Sequence, residues 1–226
     1  MKTPRVKLDQ VSRSFPTKEE PLTILRDIDL EIQPADRIVL YGPSGCGKTT
    51  LLHILALLDA PTNGDVHFLG GRTSQWTETQ RCERRAGEIG MVFQQFHLLP
   101  YHSVMENLLL RLRYLPAASV DSLEPESLLD DVGLAAHSKK AARLLSGGEK
   151  QRLCIARAML VQPSLFLADE PTGNLDTENA QRVRALFTDV AERGASMVIA
   201  THDDRWFDFA TRIFRFENGR LIEESS

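Results

Sequence analysis

Residues 42–50 read GPSGCGKTT. They fit the spacing G-x-x-x-x-G-K-[ST], set between a run that reads as a strand, RIVLYG, and one that reads as a helix, TTLLHILALL. Glycines here let successive backbone N–H groups converge on phosphate oxygens, and a helix start adds the positive end of a dipole. The predicted cradle is Gly42, Pro43, Ser44, Gly45, Cys46, Gly47, Lys48, Thr49 and Thr50. Lys48 would reach the β- and γ-phosphates of a nucleotide, and the Thr49 hydroxyl would ligate Mg²⁺.

SLFLADEP (164–171) supplies what such a cradle needs next: an apolar strand that delivers two carboxylates at its end. Asp169 would hold the Mg²⁺ shell, and Glu170 would polarise an attacking water as a general base. Strands often end in surface acids, so the pair gains meaning from the phosphate loop upstream. His202, in ATHDD, follows another apolar strand and could orient the water and Glu170. Gln94, in VFQQF, also follows a strand, where its amide could touch Mg²⁺ and the water. Taken alone, the histidine is better explained by an ordinary surface or core position, and the glutamine means little. LSGGEKQR (145–152) then offers a serine and two glycines before a helix, a second anion-binding device far from the first.

The elements that must position these groups alternate. VKLDQVSRSF and ILRDIDLEI have the period of half-buried strands, and GDVHFLG, IGMVFQQ, SLFLADE and SMVIATHD read as further strands. TETQRCERRAG and TENAQRVRALFTDVAER read as helices, and RIFRFE and RLIEE as short strands joined by an Asn-Gly turn. From about 103 to 160 the pattern is helical: SVMENLLLRLRYL, PESLLDDVGL and GEKQRLCIARAMLV, punctuated by Pro100 and Pro116. Strand–helix alternation interrupted by such a block predicts an α/β core with an inserted helical lobe.

The 226 residues, 42% hydrophobic and 26% charged, suit one substantial domain. A net charge of −4 gives no general pull toward nucleic acid, and no nucleic-acid partner is expected. Cys46, Cys82 and Cys154 are an odd count without metal-ligand spacing, which points to a reducing compartment. The start, MKTPRVKLDQ, has no apolar core, so no export signal is expected, and the run around LLHILALLDA is too short to span a bilayer.

In combination the chain resembles the ATP-binding cassette (ABC) ATPases. The phosphate loop GPSGCGKTT, glutamine loop FQQ, signature LSGGEKQR, acidic strand LFLADEP, D-loop GNLD (173–176) and switch histidine in THD stand in the family's order. The resemblance implies a P-loop NTPase (RecA-like) α/β core with an N-terminal antiparallel β subdomain and an inserted α-helical subdomain. One nucleotide-binding domain would span 1–226, its catalytic core about 1–95 and 162–226 and its helical subdomain about 96–161.

It also implies that ATP sits between two cassettes of a homodimer. Each nucleotide would be held by one phosphate loop and by Ser146, Gly147, Gly148 and Glu149 of the other copy, with Asp176 coupling the two sites. Phe15 stands where the family stacks adenine, usually on tyrosine; the alternative is that it packs into the strand layer. Lys150 replaces a common glutamine in the signature helix and is expected to be solvated. Cys46 lies near a helix start and a lysine, and its modification should block ATP binding; the alternative is a buried, inert small side chain.

ADEPTGNLD, LLHILALLDAPTNGDV and FQQFHLLP look most like the branch of lipoprotein-release, macrolide-export and cell-division ATPases. That branch implies a separate membrane subunit whose coupling helix docks near Phe96, Leu98, Leu99, Pro100 and Tyr101, in a partly exposed apolar groove. It also implies a peripheral place on the cytoplasmic, inner face of the bacterial plasma membrane. The alternatives are a signalling or cell-division ATPase that moves no solute, a soluble ABC protein, or a binder without turnover. Paired cassettes and basic tracts are not visible, and the presence of Glu170 and His202 argues against the binder.

Overall fold

The computed structural model describes residues 3–18, 20–115, 123–173 and 175–224. Pro116, and Asn174 of the GNLD stretch, lie outside the described residues. Two sheets form. The first joins β1 (Val6–Phe15), β2 (Leu22–Ile32), β4 (Asn63–Phe68) and β5 (Gly71–Arg72) in the antiparallel order β2-β1-β4-β5. The second takes β3 (Arg37–Tyr41), β6 (Ile89–Val92), β7 (Leu165–Asp169), β8 (Ser196–Thr201), β9 (Arg212–Glu217) and β10 (Arg220–Glu224). Its order is β10-β9-β3-β8-β7-β6, parallel except for the last hairpin. That hairpin turns at Asn218 and Gly219, whose φ values of 52° and 79° are the two positive torsions a type I′ turn requires.

Every residue of β7 and β8 is buried because both sheet faces are covered, which is why these strands read as unbroken apolar runs. Ile38, Leu40, Leu165, Leu167, Val198 and Ala200 face α1 (Lys48–Leu55) and the antiparallel sheet. Val39, Phe166, Ala168, Met197 and Ile199 face α5 (Gly147–Met159) and α6 (Thr177–Glu192). A one-residue slip of any central strand would exchange these two sets, so the register is strongly specified.

The helical stretch holds α3 (Val104–Leu109), α4 (Pro125–Asp131) and α5. Ser103 and Ser146 each begin their helices with a reciprocal cap to a glutamate three residues on, as Thr77 does with Gln80 at α2 (Glu78–Glu88). Each such cap is worth ~1 kcal/mol. SVMENLLLRLRYL, expected as one helix, is α-helical only to Leu109 and tightens into a 3₁₀ turn over Leu110–Tyr114. There the Arg111 guanidinium turns inward and donates to the carbonyls of Arg85, Ala86 and Ile89 at the end of α2. Burial, reinforced by Arg157 nearby, pushes its pKa down to about 10.

Candidate active site

The site gathers at the carboxyl ends of the parallel strands, where open α/β sheets place their ligands. After Tyr41 the chain passes through Gly42, Gly45 and Gly47 with φ of 154°, 79° and 115°. A side chain at Gly47 would also crowd Ile24 and Leu25, whose atoms lie 3.0 Å from the place of its Cβ. Gly47 caps α1 without any side-chain hydrogen bond, and no acidic residue stands in the first turn. That leaves the positive end of the helix to an outside anion.

Lys48 is buried, and its ammonium donates to the carbonyls of Gly42 (2.6 Å) and Pro43 (3.1 Å), curling back over its own loop. Its Nζ lies 3.9 Å from Cys46 Sγ. The Thr49 hydroxyl donates to Asp169 Oδ2 at 2.6 Å, which closes the 120-residue gap between the two motifs. β8 lies between β3 and β7 in the sheet, so this contact spans one intervening strand.

Asp169 is 5% exposed, and burial raises its pKa against the opposing hydrogen bond from Thr49. A buried carboxylate beside a hydroxyl is a hard oxygen pair that fits Mg²⁺. Among the described residues no three His, Cys, Asp or Glu side chains converge on a metal position. Gln94 is the other expected ligand, and phosphate and water would fill the rest of the shell, the usual preference of this ion.

Glu170 follows with φ 47°, a left-handed torsion that costs on the order of 1–3 kcal/mol in a non-glycine residue. Its N–H is held by Ala200 O at 2.8 Å, so the end of β8 enforces the turn. His202 Nδ1–H donates to Glu170 Oε1 at 2.9 Å, since an ionised carboxylate can only accept. Thr201 Oγ1 lies 3.1 Å from Glu170 Oε2 and accepts the N–H of Asp203 at 3.0 Å. Its one proton is thus available to Glu170. Both carboxylate oxygens are oriented.

Gln94, Lys48, Thr49, Asp169 and Glu170 line one cavity of about 410 Å³, together with Phe15, Leu22, Ile24 and the loop residues Ser44, Gly45, Gly47 and Thr50. Phe15 does not sink into the strand layer: it is 36% exposed at this cavity, with the Arg13 guanidinium 4.6 Å from its ring centroid. Arg13 is in turn fixed by Asp59 at 2.9 Å.

The signature residues do not join this cavity. Ser146, Gly147, Gly148 and Glu149 are absent from its lining. Ser146 instead caps α5, accepting the Glu149 N–H at 3.3 Å while Glu149 Oε2 accepts the Ser146 N–H at 2.7 Å. These bonds hold the Glu149 carboxyl below its ordinary pKa. Ser146 and Gly147 are exposed and Lys150 is half-buried. Asp176, also exposed, caps α6 by accepting the Asn179 N–H at 2.8 Å.

In the loop expected to border an apolar groove, Phe96, Leu98 and Leu99 are half-buried. Phe96 and Leu98 pack against the core of the helical stretch. Leu99 is pinned through both its N–H and its carbonyl by the buried Asn107 side chain. Pro100 is exposed, and Tyr101, 81% exposed, stands under Arg143. A separate groove of about 500 Å³ is lined by Leu58, Met91, Phe93, His97, Leu110 and Tyr114 with Cys82, Arg85, Arg111 and Arg157. Between Phe96 and Leu98, His97 adopts φ 45°, and Arg157 donates to the carbonyls of Phe96 and His97. Sequence reasoning also passed over Thr201, Asn179 and Arg157; the first stood inside the quoted THD, next to the histidine.

A family model described as ABC transporter matches residues 25–173. The chain is 41% identical over 217 residues to the lipoprotein-releasing system ATP-binding protein LolD 1 of Rhodopirellula baltica, covering 95% of each. It is 39% identical to the macrolide export ATP-binding/permease protein MacB of Syntrophobacter fumaroxidans, where 97% of this chain matches 31% of that protein. Among solved structures, the ATP-binding cassette MJ0796, in a dimeric post-hydrolysis state bound to ADP and Pi, superposes with a TM-score of 0.89 at 32% identity. That match covers 97% of this chain and 98% of the other.

Proposed function

The chain belongs to the ABC transporter family, and from that premise we propose that it is the ATP-hydrolysing subunit of a membrane system, working as a homodimer that closes around ATP. The observation that carries the dimeric reading is the placement of the signature. It is a capped, exposed helix start that takes no part in its own chain's phosphate cavity. Solved relatives of this fold are dimers, one of them bound to ADP and Pi.

In this reading the loop Gly42–Thr50 cradles the phosphates, and Lys48 leaves the carbonyls of Gly42 and Pro43 for them. Phe15 offers the face opposite Arg13 to adenine. Thr49, Asp169 and Gln94 would hold Mg²⁺, which when bound neutralises charge on the β- and γ-phosphate oxygens. Glu170 takes the proton of the attacking water, and His202 holds the accepting carboxylate in place. Ser146, Gly147 and Gly148 of the second copy bind the γ-phosphate from the other side, with Glu149 fixing Ser146 and Asp176 coupling the two sites. The clamp closes only while that phosphate bridges the copies.

Among the described residues no helix is long and apolar enough to cross a membrane. We place the chain on the cytoplasmic face of the bacterial inner membrane through a separate membrane subunit, which would also choose the cargo. The groove at Leu58, Phe93 and Tyr114 suits a helix from that subunit, and its guanidiniums suit an acidic residue on it. Steady-state phosphate release by wild type and Glu170→Gln tests the proposal. Glu170→Gln should lose turnover yet accumulate as an ATP-bound dimer; a variant that still turns over at the wild-type rate would remove Glu170 as the base.

A further inference from the structure

We propose that Asn179 is a positioning residue that fastens the signature turn at the start of α5 to the Asp176 loop at the start of α6. Two surfaces turned toward a second copy would then present as one unit. The inference rests on the sandwiched-dimer reading above.

The start of α6 departs from the other capped helices. In α2, α3 and α5 the third helical residue is Gln or Glu and reaches back to the capping backbone. In α6 that residue is Asn179, and its side chain makes two other bonds. Nδ2 donates to Asp176 Oδ2 at 2.8 Å, and Oδ1 accepts from Arg152 Nη1 at 3.1 Å. The amide orientation is forced, because the reverse would set oxygen against carboxylate and NH₂ against guanidinium. Arg152 belongs to α5 and also donates to Val132 O at 2.9 Å, so it is anchored on the helical side. The amide supplies both the donor that the carboxylate needs and the acceptor that the guanidinium needs.

The two signature glycines differ accordingly. A Cβ at Gly147 would meet nothing within 4 Å. A Cβ at Gly148 would lie 2.5 Å from Asn179 Cγ and nearer still to Oδ1. Gly148 is therefore bare because Asn179 occupies its side-chain space. Any residue there must rotate Asn179 away and break its bonds to Asp176 and Arg152. Gly147 has no such neighbour in its own chain.

The test is a rescue experiment in the Glu170→Gln background, reading ATP-dependent dimer by gel filtration. Turnover is read in parallel in chains that retain Glu170. Gly148→Ala should abolish the dimer, and adding Asn179→Ala should restore it to the level of Asn179→Ala alone. Gly147→Ala should gain nothing from Asn179→Ala. By itself Asn179→Ala should lower kcat about tenfold with KM for ATP unchanged, a typical coupling size for bonded neighbours. Asn179→Asp, which sets a second carboxylate against Asp176, should lower it further. If Gly148→Ala misfolds, these single variants at Asn179 carry the test. Failure of Asn179→Ala to rescue a folded Gly148→Ala, equal rescue of Gly147→Ala, or a kcat at the wild-type value would overturn the proposal. A Glu170→Gln parent that stays monomeric with ATP would instead remove the sandwiched-dimer reading, and this inference with it.

Discussion

Thr201→Val changes little volume and removes one hydroxyl, which serves two neighbours at once. Thr201 is 1% exposed, accepts the Asp203 N–H at 3.0 Å and lies 3.1 Å from Glu170 Oε2. Valine leaves a backbone N–H without this partner, a loss of roughly 1–3 kcal/mol. For a chain of 226 residues that corresponds to a fall in Tm of about 2–4 °C per kcal/mol. The catalytic effect is separate. Glu170 keeps His202 on Oε1 but is free to swing about it, and misplacing a reacting group by about 1 Å can cost on the order of 10²-fold in rate. Thr201 does not line the phosphate cavity, so KM for ATP should stay within about twofold of wild type. Thr201→Ser should retain both properties, since it keeps the oxygen. Steady-state phosphate release and thermal unfolding of the three proteins supply the readouts. A valine variant with lowered Tm but undiminished kcat, or a serine variant as slow as valine, would show that this hydroxyl does not aim Glu170.

Three more outcomes follow from the same geometry. Backbone hydrogen bonds at Ser103, Ser146 and Asn179 depress the pKa of Glu106, Glu149 and Asp176, and the Arg205 side chain does the same for Asp203. Depressed carboxyls add stability that is complete above the unfolded-chain values near 4 and lost as pH falls through the folded ones. Tm should thus hold from about pH 7 to 5 and fall below about pH 4, less steeply in Glu149→Gln, as thermal scans across pH would show. Maleimide should block ATP binding through Cys46, which lies in the phosphate loop, with ATP protecting and Cys46→Ser resistant. Buried Cys154, its pKa pushed up to about 11, should remain unlabelled in the folded protein, and peptide mapping would locate the label. Leu58→Asp should release the chain from its membrane subunit in a detergent pull-down while ATP binding persists, since Leu58 is 46% exposed in the groove and does not line the phosphate cavity.

What was legible beforehand was local. β7 and β8 are buried on both faces, so their apolar runs were visible without knowing their neighbours. The phosphate loop and LSGGEKQR carry their geometry in consecutive residues, and the Asn-Gly turn declares its own torsions. Contacts between distant segments were not legible. Arg111 reads as one more helical arginine until α2 brings three carbonyls beside it. The half-burial of Phe96 and Leu98, and the hold of Arg157 on the carbonyls of Phe96 and His97, depend on elements distant in the chain. Asn179 reads as a plain helix-start residue, and only the approach of α5 gives it Arg152 and Gly148.

In the proposed dimer the signature of one copy completes the phosphate site of another. Ser146→Arg in the Glu170→Gln background addresses it directly, because Ser146 is exposed and lies outside its own chain's cavity. Nucleotide affinity of the monomer and ATP-dependent dimer mass, measured on the same preparation, should separate: affinity close to that of the parent and no dimer. A chain that loses ATP affinity along with the dimer would assign the signature to its own phosphate loop and rule out the shared site.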